Sequence, residues 1–137
     1  MNSVLFVCHG NICRSPMAEY MFKDLTDNKY KIESRATSTE EIGNDIHYGT
    51  KRILDKYDIP YTRHYAKQIS IDDYNNFDII VCFDDCNLNN LRRMFKDTSK
   101  VIKLLDRDIA DPWYTHDSDT TYNDIYEGLI RLKKMMK

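Results

Sequence analysis

Apolar residues along this chain fall into two patterns that alternate: short unbroken runs, and longer stretches with helical spacing. Ser3–Val7 (SVLFV) is an unbroken run with polar ends, which predicts a strand buried on both faces. A polar loop follows, and then Pro16–Leu25 places Met17, Tyr20, Met21 and Leu25 at helical spacing. Ser15 before Pro16 predicts the helix start, with a capping hydroxyl, proline at the first helical position and Glu19 early in the helix. Tyr30–Thr37 predicts a second strand. Ile46–Tyr57 predicts a helix with Ile46, Ile53, Leu54 and Tyr57 on one side, stopped by Asp58-Ile59-Pro60. A short helix fits Ser70–Asn75. Phe77–Phe83 and Lys100–Leu105 read as two further strands on either side of a helix from Asn87 to Phe95. Ser118–Met136 reads as a last helix with Tyr122, Ile125, Tyr126, Leu129, Leu132 and Met136 on one stripe.

Strands alternating with helices imply right-handed crossovers. The expected fold is therefore α/β: one domain over residues 1–137, a twisted four-stranded parallel sheet with helices on both faces, and an oxyanion-binding loop after strand 1. Ligands of such sheets sit outside the carboxyl ends of the strands, and the loop after Val7 is at such an end. A chain of 137 residues with 42% hydrophobic and 31% charged residues buries a core unaided, and its 4 Gly and 3 Pro suggest no linker. Lys and Arg number 20 against 22 Asp and Glu, a net charge of -2, which removes any general attraction to nucleic acid or an anionic membrane surface. No apolar run approaches the about 20 residues of a membrane span. The opening MNSVLFVCHGN has neither a basic region nor a small-residue cleavage site, so a cytoplasmic protein is expected, with its four cysteines as reduced thiols.

The chemistry concentrates in Cys8-His9-Gly10-Asn11-Ile12-Cys13-Arg14-Ser15. A short loop wrapped round a helix start aims successive backbone N–H groups at one point and adds the positive end of the helix. Gly10 and Asn11 tolerate the positive φ that so tight a loop needs. Arg14 offers a planar fork for two oxygens of a tetrahedral anion. Cys8 stands at the mouth of this positive cradle, which favours its thiolate, and Ser15 is placed to donate a hydrogen bond to the sulfur. A nucleotide-binding loop is excluded, because the G-x-x-x-x-G-K-[ST] spacing and its lysine are absent. An inert buried cysteine would leave the Gly, Asn, Arg and Ser at these spacings as coincidence.

C-x-x-x-x-x-R-S directly after the first strand, written VCHGNICRSPMAE, resembles the low-molecular-weight protein tyrosine phosphatases. The likeness continues through IESRATS at Ile32–Ser38, HYAKQI at His64–Ile69, FDIIVCFDDCN at Phe77–Asn87, DPWY at Asp111–Tyr114 and YNDIYEGL. The resemblance implies that Cys8 attacks phosphorus and becomes a phosphocysteine, that Arg14 and the loop amides hold the equatorial oxygens, and that Asp111 acts as general acid and then base. It implies no cofactor and no metal. Asn11 matches a residue whose side chain fixes the loop, supported by counterparts of Ser15, Ser34 and His64. Ile12, Glu40, Trp113 and Tyr114 match cleft walls. Trp113 stands where the family usually has tyrosine, and Glu40 where many members carry an aromatic residue, a change expected to disfavour acidic flanks on the substrate. Cys13 matches the second cysteine of the family loop. It is either a redox partner that pairs reversibly with Cys8 or a small side chain packed under the loop. The implied partners are phosphotyrosine-containing proteins, a tyrosine kinase among them, with phosphate and other oxyanions as inhibitors.

Three other readings remain. Thioredoxin-coupled arsenate reduction shares the loop and needs further thiols, for which Cys82 and Cys86 are candidates. The protein arginine phosphatase branch has threonine where this chain has Ile12. A metal module built on Cys8, Cys13, Cys82 and Cys86 would need wider ligand spacings than structural zinc usually has.

Overall fold

A computed structural model describes residues 1–137. Along the chain the elements are β1 (Ser3–Cys8), α1 (Arg14–Leu25), β2 (Lys31–Ala36), α2 (Tyr48–Lys56), α3 (Ile71–Asn76), β3 (Ile79–Cys82), α4 (Asp85–Met94), β4 (Val101–Lys103), α5 (Pro112–Thr115) and α6 (Ser118–Met135). The four strands pair in the order β2-β1-β3-β4, and every pairing is parallel. β1 therefore lies inside the sheet with every residue buried, which explains why its sequence is an unbroken apolar run. β2 is an edge strand, and its inward side carries only Ile32, Ser34 and Ala36.

Alternate residues of β1 serve opposite layers. Val4, Phe6 and Cys8 pack with residues of α1, α2 and α6, whereas Leu5 and Val7 pack with α3 and α4. Phe6 anchors the larger layer, with Phe22 edge-on at 5.9 Å between ring centroids and Phe83 at 6.3 Å. The buried face of α6 is built on Ile125, Leu129 and Leu132, with Thr121 and Gly128 as its small members. Tyr126, placed on the predicted stripe, is largely exposed at its margin.

Of the element boundaries that differ from the expected ones, two do so for clear local reasons. α1 starts at Arg14 rather than Pro16, so Ser15 lies inside the helix and caps nothing. Its hydroxyl instead lies 3.1 Å from Sγ of Cys8. The strand predicted from Phe77 begins only at Ile79, since Phe77 closes α3, whose start is a capping box between Ser70 and Asp73. α5, a single turn capped by Asp111, is too short for a periodic signal.

α6 approaches the sheet closely at Gly128, where an added Cβ would stand 2.3 Å from Cγ of Leu104, the residue after β4. Gly128→Ala is expected to destabilise the fold by about 1–3 kcal/mol through overpacking, despite alanine's better helix propensity. Denaturant unfolding of the variant checks this; equal or greater stability would show that Leu104 moves aside freely.

Candidate active site

Cys8 is the last residue of β1, and its carbonyl accepts the Thr37 N–H at 2.9 Å, so the strand pairing itself fixes the sulfur's position. The chain then turns through residues 9–13 into α1. The turn is made at Asn11, whose φ is 60°, the left-handed region that asparagine tolerates. Gly10 does not adopt a positive φ. Its lack of a side chain serves another end, because a Cβ there would stand 3.3 Å from Cγ of Glu41. The Asn11 N–H points back at Cys8 Sγ at 3.3 Å, and Sγ lies 3.1 Å from Oγ of Ser15.

The side chain of Asn11 ties this loop to its surroundings. Nδ2 donates to Oγ of Ser15 at 2.8 Å and to Oγ of Ser34 at 3.0 Å, while Oδ1 accepts the Lys67 N–H at 3.1 Å. His64 holds the same residue through its backbone, with Nε2 2.7 Å from the Asn11 carbonyl oxygen. His64 is held in turn by Asp45, whose carboxylate accepts its N–H. Burial pushes the His64 imidazole below its ordinary value of 6.5.

Arg14 is 2% exposed. Nη1 donates to Asp84 at 2.6 Å and to the Ile109 carbonyl at 2.9 Å, and Nη2 lies 3.5 Å from Oδ2 of Asp111. Nε has no partner. Burial alone would lower the guanidinium, but Cys8, Asp84 and Asp111 together raise it. Asp111 is brought to the loop from beyond β4, and its Oδ1 accepts the Trp113 N–H at 3.0 Å. Asp84 is absent from the expected site. Its sequence signal, an Asp-Asp pair before a helix, reads as a cap, and it does accept the Asn87 N–H as one.

The cleft above Cys8 is walled by Ile12, Trp113 and Tyr114, with Glu40 and Glu41 on the rim. Glu40 is bound by Nε2 of His9 at 2.6 Å, and Ser38 fixes the same loop by donating to the His9 carbonyl at 2.9 Å. His47, also missing from the expected site, joins the two walls: its N–H donates to the Ile12 carbonyl and its ring meets Trp113 edge-on at 5.2 Å. Cys13 is a buried free thiol, pushed well up by burial and then by Asp111 and Cys8. Cys82 lies in the opposite layer, where burial pushes it up to about 12, and Cys86 is exposed on α4. The four cysteines do not converge.

A thiol at a strand end with the Asn11 N–H directed at it, a buried guanidinium beside it and the Asp111 carboxylate lining the same cleft can hold a tetrahedral oxyanion against sulfur. Fold and site together define a cysteine-dependent phosphatase. Residues 3–137 match the family model described as low molecular weight phosphotyrosine protein phosphatase. The chain is 43% identical to a low molecular weight protein-tyrosine-phosphatase of Bacillus subtilis, over 96% of this chain and 94% of that one. It is 40% identical to the low molecular weight phosphotyrosine protein phosphatase of Gallus gallus, over 98% and 92%. The crystal structure of the low molecular weight protein tyrosine phosphatase of Streptococcus pyogenes superposes with a TM-score of 0.94 at 44% identity, covering 100% of this chain and 95% of that one. The chain belongs to the low molecular weight phosphotyrosine protein phosphatase family. No helix is long and apolar enough to cross a membrane.

The depressed His64 value has a consequence for stability. As pH falls below 6.5, an unfolded chain takes up a proton that the folded imidazole refuses, so stability is full above that value and is lost on acidification toward the folded value. His64→Gln, which keeps an N–H for the Asn11 carbonyl, should lose less stability than the unaltered chain between neutral and acid pH. Urea unfolding at a series of pH values checks this; parallel losses would remove His64 as the cause.

Proposed function

We propose that this chain hydrolyses phosphotyrosine in proteins, and small aryl phosphates, through a phosphocysteine on Cys8. The observation that carries the reading is the unpartnered Nε of a buried Arg14 beside the thiol cradle. A buried donor with no acceptor is costly, and an oxyanion seated on the loop amides supplies the acceptor. Sulfur attacks phosphorus in line while Asp111 protonates the departing phenolate. The Asp111 carboxylate then takes a proton from the water that attacks phosphorus, and phosphate leaves as the P–S bond breaks. Ser15 donates a hydrogen bond to the sulfur as it leaves, and Asn11, Ser34 and His64 keep the loop in shape. These steps use side chains and backbone only, with no cofactor and no metal.

Ile12, Trp113 and Tyr114 form a slot suited to a flat aryl ring, and Glu40 at its rim disfavours acidic flanks. Cys13, buried beneath the loop, is the thiol with which a peroxide-oxidised Cys8 would pair. Related chains bear phosphotyrosine phosphatase names, which supports phosphotyrosine-containing proteins as partners. Phosphate and similar oxyanions compete for the cradle. A cytoplasmic setting suits a reaction that needs Cys8 reduced. Arsenate reduction is disfavoured, because Cys82 is buried in the layer opposite Cys8. The apolar slot beside Ile12 likewise favours an aryl ester over phosphoarginine.

Cys8→Ser should lower aryl phosphate turnover by at least about 10³-fold while phosphate or vanadate still binds. Ordinary hydrolysis by that variant would sink the mechanism. Asp111→Asn should slow phenyl phosphate by about 10²-fold or more and p-nitrophenyl phosphate much less, since only the poorer leaving group depends on protonation. Equal losses for both esters would take Asp111 out of the acid role.

A further inference from the structure

His47 does not line the cleft, yet two of the cleft's walls are tied to it. Its backbone N–H donates to the Ile12 carbonyl at 2.9 Å, which fixes the wall on the loop. Its ring meets the indole of Trp113, the wall on α5, edge-on with 5.2 Å between centroids. The ring is itself well held. His47 is the N-cap of α2, and its Nδ1 accepts the Gly49 N–H at 3.3 Å. Gly49 makes room for this, since a Cβ there would stand 3.4 Å from Nδ1 of His47 and 3.1 Å from Oγ of Ser118, where α6 begins. Tyr48 lies against the ring at 4.3 Å. A ring nitrogen that accepts a hydrogen bond carries no proton, so the imidazole is neutral with its proton on Nε2. Burial holds it below its ordinary value of 6.5, against the pull of Asp111 and Glu41 and with the help of His116. Trp113 has less support of its own. Its backbone is fixed in the single turn of α5 by Pro112 and by the Asp111 carboxylate, which accepts its N–H at 3.0 Å. Its side chain is 47% exposed, and the aromatic ring in contact with it is that of His47.

We infer, on the reading of this slot as the place of an aryl ester, that His47 is a positioning residue for specificity: its ring sets the side-chain angle of Trp113 and so the width of the aromatic slot. Rotatable bonds separate the fixed backbone of α5 from the indole, and half-exposure leaves room for them to turn. An edge-to-face ring pair contributes more than the area it buries, so the contact with His47 favours one indole position over the others. The phosphate end of a ligand does not share this dependence. The one hydrogen bond of the His47 side chain runs to Gly49, and its link to Ile12 is through backbone, which a substitution keeps. Exchange of the side chain therefore alters affinity for the aryl group and leaves affinity for bare phosphate as it was.

Calorimetric titration of the full chain with benzylphosphonate and with inorganic phosphate tests this. Neither titration requires turnover, so the result stands apart from the functional reading, which fails instead if the unaltered chain does not hydrolyse p-nitrophenyl phosphate. His47→Asn keeps a capping acceptor for α2 and loses the ring. It should weaken benzylphosphonate about fivefold, the size of an aromatic pair, and leave phosphate unchanged. His47→Phe keeps a ring and loses the acceptor, so it should hold benzylphosphonate as before while its melting temperature falls. In a Trp113→Ala background, His47→Asn should weaken benzylphosphonate no further. Trp113 is the one tryptophan of the chain, so quenching of its emission by acrylamide reads the wall directly. Quenching should increase in His47→Asn and stay level in His47→Phe. Unchanged benzylphosphonate affinity or unchanged quenching in His47→Asn overturns the inference, as do equal losses with and without Trp113. A fivefold loss in His47→Phe is equally fatal, and it decides the matter even where His47→Asn fails to fold. A purely structural role for His47 would lower the melting temperature and weaken the two ligands alike.

Discussion

The left-handed turn at Asn11 is the constraint on which the cleft depends. Such a backbone costs a non-glycine residue about 1–3 kcal/mol and persists only when its surroundings over-determine it. Here they do. The side chain makes two donor bonds and one acceptor bond, and its carbonyl oxygen takes a fourth from His64. At about 1 kcal/mol each, these offset the turn. Glycine would adopt the same backbone without strain but could make none of the side-chain bonds. The partners come from α1, from β2 and from the segment at His64–Lys67, so the loop's shape is set by three separate parts of the fold. The amide directions around Cys8 follow from that shape.

A second constraint acts from below. Arg14 is almost wholly enclosed, and its ion pair with Asp84 is no simple gain in stability, since removing two charges from water offsets most of their attraction. What the pair and the Ile109 carbonyl achieve is orientation. They occupy Nη1 and leave Nε unpaired. The net charge of -2 conceals this local field, because most of the cradle is backbone N–H groups, which carry no formal charge. Outside the cradle the sign reverses, with Glu40, Glu41 and Asp111 lining the cleft and His9 pairing with the first of them.

The alternation of strands and helices was legible because hydrophobic period is a local signal, and β1 announced its interior place by having no polar face. The loop was legible because its residues are contiguous. Residues that act through tertiary contact were not. Glu19 reads as an acid that marks the start of a helix, Asp84 as one of two acids opening a helix, and His47 as an ordinary residue near a helix start. Nothing in their neighbours says that each turns inward. Ser15 was legible in one of its two readings: the serine before a proline has the signature of a cap and caps nothing, whereas its place at the end of the loop pointed to the Cys8 sulfur, 3.1 Å from its hydroxyl. Asp111 was tied to the loop by family resemblance alone, since 97 residues separate it from Arg14.

The order β2-β1-β3-β4 gives the molecule a timetable. Chains leave the ribosome amino end first, so the strand bearing Cys8 emerges before every strand that it pairs with. One flank of that strand waits for β2, the other for Ile79–Val81, and the Arg14 guanidinium waits longer still for Asp84 and Ile109. Until those segments arrive, the thiol has neither a rigid strand behind it nor an acid opposite. A nascent chain therefore lacks the completed cleft, and Cys8 acquires its full surroundings only once the segment through Asp111 has been made.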